Sequence, residues 1–203
     1  MQTVYHSLGE PAAPAEALAR NSLDDALLQS IAAGDKSAMR VLFQRHSIRV
    51  YRFALRLVQD ATLAEDIVSE VFMEVWRSAR GFKAKSQVTT WLLAIARHKA
   101  GSALRRRGEA RLEDEVALDL VDPGDDPEVV AHQKDRGKII RKCLDRLSAP
   151  HREVIDLVYY HEKSVDEAAR IVGVSRNTIK SRMMHARGRM AKLLSAAGGD
   201  AAL

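Results

Sequence analysis

The stretch HEKSVDEAARIVGVSRNTIKSRMMHARGRM, residues 161–190, decides the architecture. Ser164 and Glu167 stand in the S-x-x-E arrangement of a capping box, in which each side chain answers a backbone N–H that the first helical turn leaves open, so a helix is predicted from Val165. Gly173 suits the left-handed residue that closes such a helix. Ser175 can cap the next one, and from there Ile179, Met183, Ala186, Met190 and Leu193 recur at intervals of four, three, four and three. That is one apolar stripe on a helix. At about 100° per residue, Asn177, Ser181, Met184 and Gly188 fall opposite the stripe, with Arg176, Lys180 and Arg187 along one flank and Arg182 and Arg189 along the other. No acidic residue occurs between Ser175 and Gly199.

A short helix, a tight turn containing glycine and a longer basic helix make the helix-turn-helix layout, whose second helix enters the major groove of DNA while flanking cations meet phosphates. Asn177 and Ser181 carry groups suited to base edges. Arg176, Lys180, Arg182 and Arg187 supply phosphate attraction, and an arginine beside the strip can also take a guanine edge in bidentate fashion. Met184 and His185 complete the candidate DNA-facing set. A solvated basic helix in a bundle has the same composition, so the motif alone leaves both readings open.

Working outward, the helical pattern extends through most of the chain. Residues 1–20 are Ala, Pro and polar residues with little patterning and are expected to form a loose arm. After a possible cap at Ser22, Leu23, Leu27 and Ile31 share a face until Gly34. Met39, Leu42, Phe43, His46, Val50, Phe53, Ala54 and Leu57 then form the stripe of a core helix. From Asp60 a third helix is expected to bury Ala64, Ile67, Val68, Val71, Phe72, Val75 and Trp76 and to expose Glu65, Asp66, Ser69, Glu70, Glu74 and Arg77. Gly81 ends it. Phe82–Thr89 reads as a polar, basic connection before a fourth helix beginning near Trp91 and ending in Arg105, Arg106 and Arg107.

Between Glu109 and Glu128 nine acidic residues face a single basic one, Arg111, around Pro123, Gly124 and Pro127, which marks an extended acidic linker. A second helical block follows, with Ile139, Ile140, Cys143, Leu144 and Leu147 on one face, and Val154, Ile155, Val158 and Tyr159 on the next. The expected class is therefore all-α. Residues 21–108 form one helical domain, 109–130 the linker, 131–195 a second domain containing the helix-turn-helix, and 196–203 a flexible tail.

Composition narrows the function. The 203 residues are 46% hydrophobic and include 32 Lys plus Arg against 27 Asp plus Glu, a net charge of +5 that permits a polyanionic partner. No apolar run approaches the length of a membrane span, and the first residues lack the basic-then-apolar layout of a signal peptide. Cys143 is the single cysteine; its place between apolar positions favours burial over redox sensing, and a reducing cytoplasm is the expected compartment. The seven histidines form no H-x-x-x-H pair, so neither metal nor cofactor is expected. No phosphate-cradling glycine loop or nucleophile elbow is present either. No catalytic residue is assigned, and chemistry is expected to belong to a partner.

The run HREVIDLVYYHEKSVDEAARIVGVSRNTIKSRMMHARGRM resembles the promoter-recognition domain of the extracytoplasmic-function (ECF) sigma factors of bacterial RNA polymerase. LFQRHSIRVYRFALRLV, AEDIVSEVFMEVW and TTWLLAIARHKAGSALRRR resemble, in that order, segments of the same family's amino-terminal domain. The resemblance implies that the helix bearing Asp66, Glu70 and Glu74 docks on the clamp helices of the β′ subunit of core polymerase; from charge alone, the same face reads as ordinary solvated surface. It also implies that the loop with Lys83, Lys85, Ser86 and Gln87 and the helix after it separate the strands at the minus-ten element and hold a flipped base. Arg97, His98 and Arg105, with Arg106 and Arg107, would then follow the DNA backbone. Trp91, on the apolar stripe, reads as core rather than as a stacking platform. Many members have Asn and Asp where this chain has His98 and Ser102, a departure that bears on specificity at the upstream edge.

The family further implies binding of the minus-thirty-five element by the Ser175–Arg187 helix, packing of that domain on the β flap, control by an anti-sigma factor and a stress-type regulon. The acidic linker would thread through the polymerase, or act as a plain solvated tether. A stand-alone dimeric helix-turn-helix regulator would instead bind a symmetric operator without polymerase. A sigma-like decoy would need neither the basic helix nor the polar loop.

Overall fold

The computed structural model describes the backbone of residues 14–111 and 131–199. Most of the acidic segment, the first residues of the expected arm and the last four of the tail lie outside that range. Among the described residues the architecture is all-α: α1 (Pro14–Ala32), α2 (Lys36–Val58), α3 (Ala61–Ser78), α4 (Val88–Arg111), α5 (Ala131–Asp145), α6 (Ala149–Ile155), α7 (Val165–Val172) and α8 (Arg176–Gly199).

Local chemistry sets the helix ends in the first half. Gly34, at φ +95°, makes the reversal after α1, and Asp35 caps α2 by accepting from the backbone N–H groups of Ser37 at 2.7 Å and Ala38 at 3.2 Å. Asp60 caps α3 through the Leu63 N–H at 3.1 Å and accepts from Arg107 of α4 at 2.7 Å. The Leu63 bond and Arg107 hold its carboxyl below the usual range against a smaller effect of burial. Between the helices, Leu42, Phe53 and Ala54 of α2, Val71 and Val75 of α3 and Leu93 and Ala96 of α4 are fully buried. The second half adds Val154, Leu157, Ala168, Ile179 and Ala186, and the buried residues of both halves form one contiguous cluster.

The structure corrects several expectations from sequence. Helix α1 begins at Pro14, inside the expected arm, and Ser22 lies within the helix rather than at its cap. Proline is well placed at a first helical position and Ala15–Ala19 is rich in helix formers. The buried face of α1 is Asp24, Leu28 and Ile31, while Leu23 is 52% exposed. The register turns on Asp24, which accepts from Arg45 at 2.8 Å and lies 2.8 Å from the Nε2 of His46, both on α2. A polar residue with two partners was thus buried in place of a leucine with none.

Trp76 and Phe43 also emerge at the surface, although Phe43 packs its ring 4.8 Å from that of Phe72. Ile140 on α5 is exposed, whereas Cys143, Leu144 and Leu147 are buried as expected. After α6 the chain makes a π turn over Asp156–Tyr160, closed by the His161 N–H on the Asp156 carbonyl at 3.1 Å. The wider turn shifts the facing of its own side chains relative to α6. Leu157 goes inward, Val158 is half-buried and Tyr159 points out, so the expected Val154–Tyr159 face breaks after Ile155. Helix α4 starts at Val88 rather than near Trp91, and α8 continues through Gly199 into the expected tail.

The Asp24 cluster makes a test of this register. Burial pushes its carboxyl up, but the hydrogen bonds and charges of His46 and Arg45 outweigh that and leave it below the ordinary value. Its stabilising contribution is therefore present above the unfolded value near pH 3.9 and is lost as pH falls through the lower folded value. Asp24→Asn is expected to cost about 2–3 kcal/mol at pH 7 in urea denaturation, with the gap from wild type narrowing under acid. An unchanged gap from pH 7 to pH 2 would contradict the assignment.

Candidate nucleic-acid interface

The helix-turn-helix forms as its local sequence dictates. Ser164 Oγ accepts from the Glu167 N–H at 3.3 Å while Glu167 Oε2 accepts from the Ser164 N–H at 3.0 Å, which completes the capping box. Gly173 closes α7 at φ +70°, and Ser175 Oγ accepts from the Thr178 N–H at 3.1 Å to open α8. Ile179, Met183, Ala186 and Leu193 are buried and Met190 half-buried, so the expected stripe is the packed face. On the other side Asn177, Lys180, Ser181, Met184, His185 and Arg187 are exposed, and Arg182 is half-buried. Arg176 reaches back to Asp166 of α7 at 2.7 Å, and Arg187 donates to the Tyr159 hydroxyl at 2.9 Å. Both anchor the long helix to its neighbours at its cationic flank.

The loop of the first half is placed differently. Lys83 and Lys85 are exposed and Ser86 is half-buried, with Ala84 at φ 50° bending the chain between the lysines. Thr89 and Thr90, expected in or beside a loop, are buried in the first turn of α4. Their hydroxyls are bonded across the molecule. Lys163, just before the capping box, donates to Thr89 Oγ1 at 2.6 Å and to Gln87 Oε1 at 3.0 Å, and lies 3.4 Å from Glu167. Thr90 donates to Glu167 Oε1 at 2.7 Å, and Arg170 of α7 reaches the Lys85 carbonyl at 3.5 Å. Burial lowers the Lys163 ammonium below its usual value in spite of Glu167 beside it. Burial acts on Glu167 in the raising direction, but Thr90, the Ser164 N–H and Lys163 together hold its carboxyl low.

Two further bridges join the halves. Arg97 donates to Glu153 at 2.7 Å, and Arg56 lies over the Tyr160 ring with its Nε 3.0 Å from Asp156. Asp156 also lies 3.2 Å from His161, yet neither approach has hydrogen-bond alignment, and both buried side chains are left without an aligned partner. Alignment outweighs distance for this pair, because misdirected bonds weaken steeply. Sequence reasoning missed Lys163, Glu153 and Thr90 as contact residues, since nothing in local spacing marks which charge will meet which across two helical blocks.

Among the other expected site residues, His98 is exposed and Arg105 donates to Ser102 at 3.0 Å. Arg106 approaches Glu70 at 3.8 Å. On α3, Asp66 is exposed as expected, but Glu70 and Glu74 face α4, where Lys99 stands 3.5 and 3.8 Å away. The free surface of α3 therefore runs from Asp66 through Ser69 to Met73 and Trp76, at helical spacing and all exposed. Among the described residues no cluster of His, Cys, Asp or Glu is placed to hold a metal ion, and no helix is long and apolar enough to cross a membrane.

Comparison with known proteins matches this geometry to one family. Residues 42–110 match the Sigma-70 region 2 family and residues 137–190 match Sigma-70, region 4. The ECF RNA polymerase sigma factor SigK of Mycobacterium tuberculosis (strain ATCC 25618 / H37Rv) is 32% identical over 166 residues, covering 80% of this chain and 88% of the relative. SigK of Mycobacterium ulcerans (strain Agy99) is 32% identical over 167 residues, with the same two coverages of 80% and 88%. Among solved structures, the sigma factor RpoE of Bartonella quintana, crystallised with the anti-sigma factor NepR, is similar at a TM-score of 0.64 and 28% identity, covering 77% of this chain and 96% of that one. CnrH in complex with the cytosolic domain of CnrY is similar at 0.62 and 26%, with coverages of 86% and 98%.

The caps can be tested without any partner. Ser164→Ala is expected to cost about 1 kcal/mol in urea denaturation by opening the capping box. Gly173→Ala is expected to cost a similar ~1 kcal/mol from backbone conformation alone, since a β-carbon there meets nothing within 4 Å. A neutral result for both would mean that the turn is held by something other than its caps.

Proposed function

The chain belongs to the ECF RNA polymerase sigma factors, which serve transcription initiation, and on that premise we propose that it brings core polymerase to promoters by reading two separated elements and opening the downstream one. The recognition helix α8 reads the minus-thirty-five element, with Asn177 and Ser181 on base edges and Arg176, Lys180, Arg182 and Arg187 on phosphates. Met184 and His185 flank them. The Lys83–Gln87 loop and the start of α4 act at the minus-ten element, where Arg97, His98 and Arg105 follow the backbone. Core polymerase meets Asp66 on α3 through the clamp helices of β′, with Met73 and Trp76 adding apolar surface beside it and Glu70 and Glu74 at its edge. The second half rests on the flap of β.

The observation that carries this reading is α8 itself: an acid-free helix, anchored by a buried stripe, that presents Asn177 and Ser181 between cations. Supporting it is a second polar, cationic loop in the preceding half, in the family's order. Neither small domain needs to bind DNA tightly, because polymerase holds both at the right spacing and raises their effective concentration. The partners are therefore core polymerase and promoter DNA. Control by an anti-sigma factor, as in the complexes of the structural relatives, and a stress-type regulon complete the proposal. Catalysis stays with the polymerase, and the chain contributes no cofactor chemistry.

Run-off transcription with purified core polymerase on a promoter library tests the proposal. Transcripts are expected only when both proteins are present. Asn177→Ala and Ser181→Ala are expected to shift upstream-element preference by about 1–3 kcal/mol per position, while Asp66→Lys mainly weakens polymerase association. Saturable binding of a symmetric operator by the free chain would favour a dimeric regulator instead.

A further inference from the structure

We infer that Tyr159 is a further DNA contact of the upstream reading surface: its hydroxyl and the Arg187 guanidinium form one grip on a backbone phosphate, beside but outside the base-facing positions of α8. This rests on the reading of the minus-thirty-five element proposed above. Tyr159 belongs to neither helix of the helix-turn-helix. It lies in the π turn between α6 and α7, and that turn brings it out of the apolar face where period alone puts it. Wide turns of this kind recur at functional sites.

The two tyrosines of the turn go to different neighbours. Tyr160 lies under Arg56, whose guanidinium carbon is 4.0 Å from the ring centre, a cation–π contact. For Tyr159 and Arg187 the same distance is 5.7 Å, near the outer limit of about 6 Å, and the tie is instead the hydrogen bond from Arg187 Nε to the Tyr159 oxygen at 2.9 Å. Tyr159 is 55% exposed, which leaves room for an incoming oxygen atom. A phenol that accepts a hydrogen bond still has its own proton to give. The cation that donates to it polarises the O–H and makes it a better donor. Arg187 is held by a neutral oxygen and keeps its charge, whereas Arg176 on the same flank faces the carboxylate of Asp166 at 2.7 Å. A phosphate beside the pair takes one neutral and one charge-assisted hydrogen bond, from two separate elements.

Spacing says what this grip meets. Asn177 and Arg187 are ten residues apart on α8, about 15 Å along the axis at about 1.5 Å per residue. The major groove is about 12 Å wide. The first residues of a recognition helix are the ones that reach base edges, so Arg187 stands at the rim of the groove, where the phosphates lie. A rim contact fixes register and adds affinity without reading sequence. Tyr159 therefore acts on how firmly and where α8 sits, and leaves base preference to Asn177 and Ser181.

The test uses the full chain with core polymerase and the strongest promoter duplex recovered from the run-off library, made with a neutral methylphosphonate at one upstream linkage at a time. Tyr159→Phe keeps the ring and loses the hydroxyl. It is expected to leave helicity and the urea midpoint unchanged, to weaken promoter complexes by about five- to tenfold, and to do so equally across upstream sequences. One methylphosphonate position is expected to weaken the wild-type complex, to weaken Tyr159→Phe less and to have no effect on Tyr159→Phe/Arg187→Ala. The two substitutions together are expected to cost less than the product of their separate effects. Wild-type binding by Tyr159→Phe would overturn the proposal, as would a changed base preference, a lowered urea midpoint or equal methylphosphonate effects in wild type and the double variant. If Tyr159→Phe is inert while Asn177→Ala still shifts upstream preference, the grip falls and the promoter-reading role stands. If the wild-type chain shows no upstream preference at all, both fall.

Discussion

An ammonium group taken out of water must find oxygen atoms to donate to, and much of this structure is arranged around one that does. Lys163 is 4% exposed, and its three donors are met by Gln87 and Thr89 at the start of α4 and by Glu167 in the first turn of α7. Removing any one partner leaves a buried charge short of a bond, a penalty larger than the net value of the bond itself. The same glutamate caps α7, so the start of the helix-turn-helix and the start of α4 share one polar cluster. Two helical halves that each have a core are thereby joined over a defined surface.

Opposite charges also pair across the contact beyond this cluster. The first offers Arg56 and Arg97 to the interface, and the second offers Asp156 and Glu153. Away from it, α8 keeps its base-facing positions open, and only the flank residues Arg176 and Arg187 are drawn back to Asp166 and Tyr159. On α3 the pattern reverses. Glu70 and Glu74 are compensated by Lys99, and the outward surface carries the carboxylates of Glu65 and Asp66, followed by Met73 and Trp76. A mixed acidic and apolar strip suits a protein partner better than a polyanion.

How much of this was legible in the sequence depended on range. Ser164, Glu167, Gly173 and Ser175 act on backbone groups within four residues, so the second helical pair could be read nearly to the residue, and the stripe from Ile179 to Leu193 followed from period alone. The all-α class and the main packed stripes were legible for the same reason. Failures came where a tertiary partner changed a local preference. Asp24 displaced Leu23 from the core because Arg45 and His46 are waiting on α2, and the π turn at Asp156 rotated Tyr159 into solvent. Glu70 and Glu74 look free along α3 until Lys99 is placed beside them. Among the candidate DNA residues, those on α8 stand exposed apart from the half-buried Arg182, whereas Gln87 and Arg97 proved to be engaged by the second half, which no spacing rule reports.

Promoter reading depends on cooperation: weak reading surfaces in one chain become a specific reader only when polymerase spaces them. Hydroxyl-radical footprinting of a promoter fragment at physiological salt tests this most directly, comparing the chain alone, core polymerase alone and the two together. No discrete protection is expected from the chain alone, and two separated protected patches, upstream and downstream, are expected when both proteins are present. A full footprint from the chain by itself would contradict it.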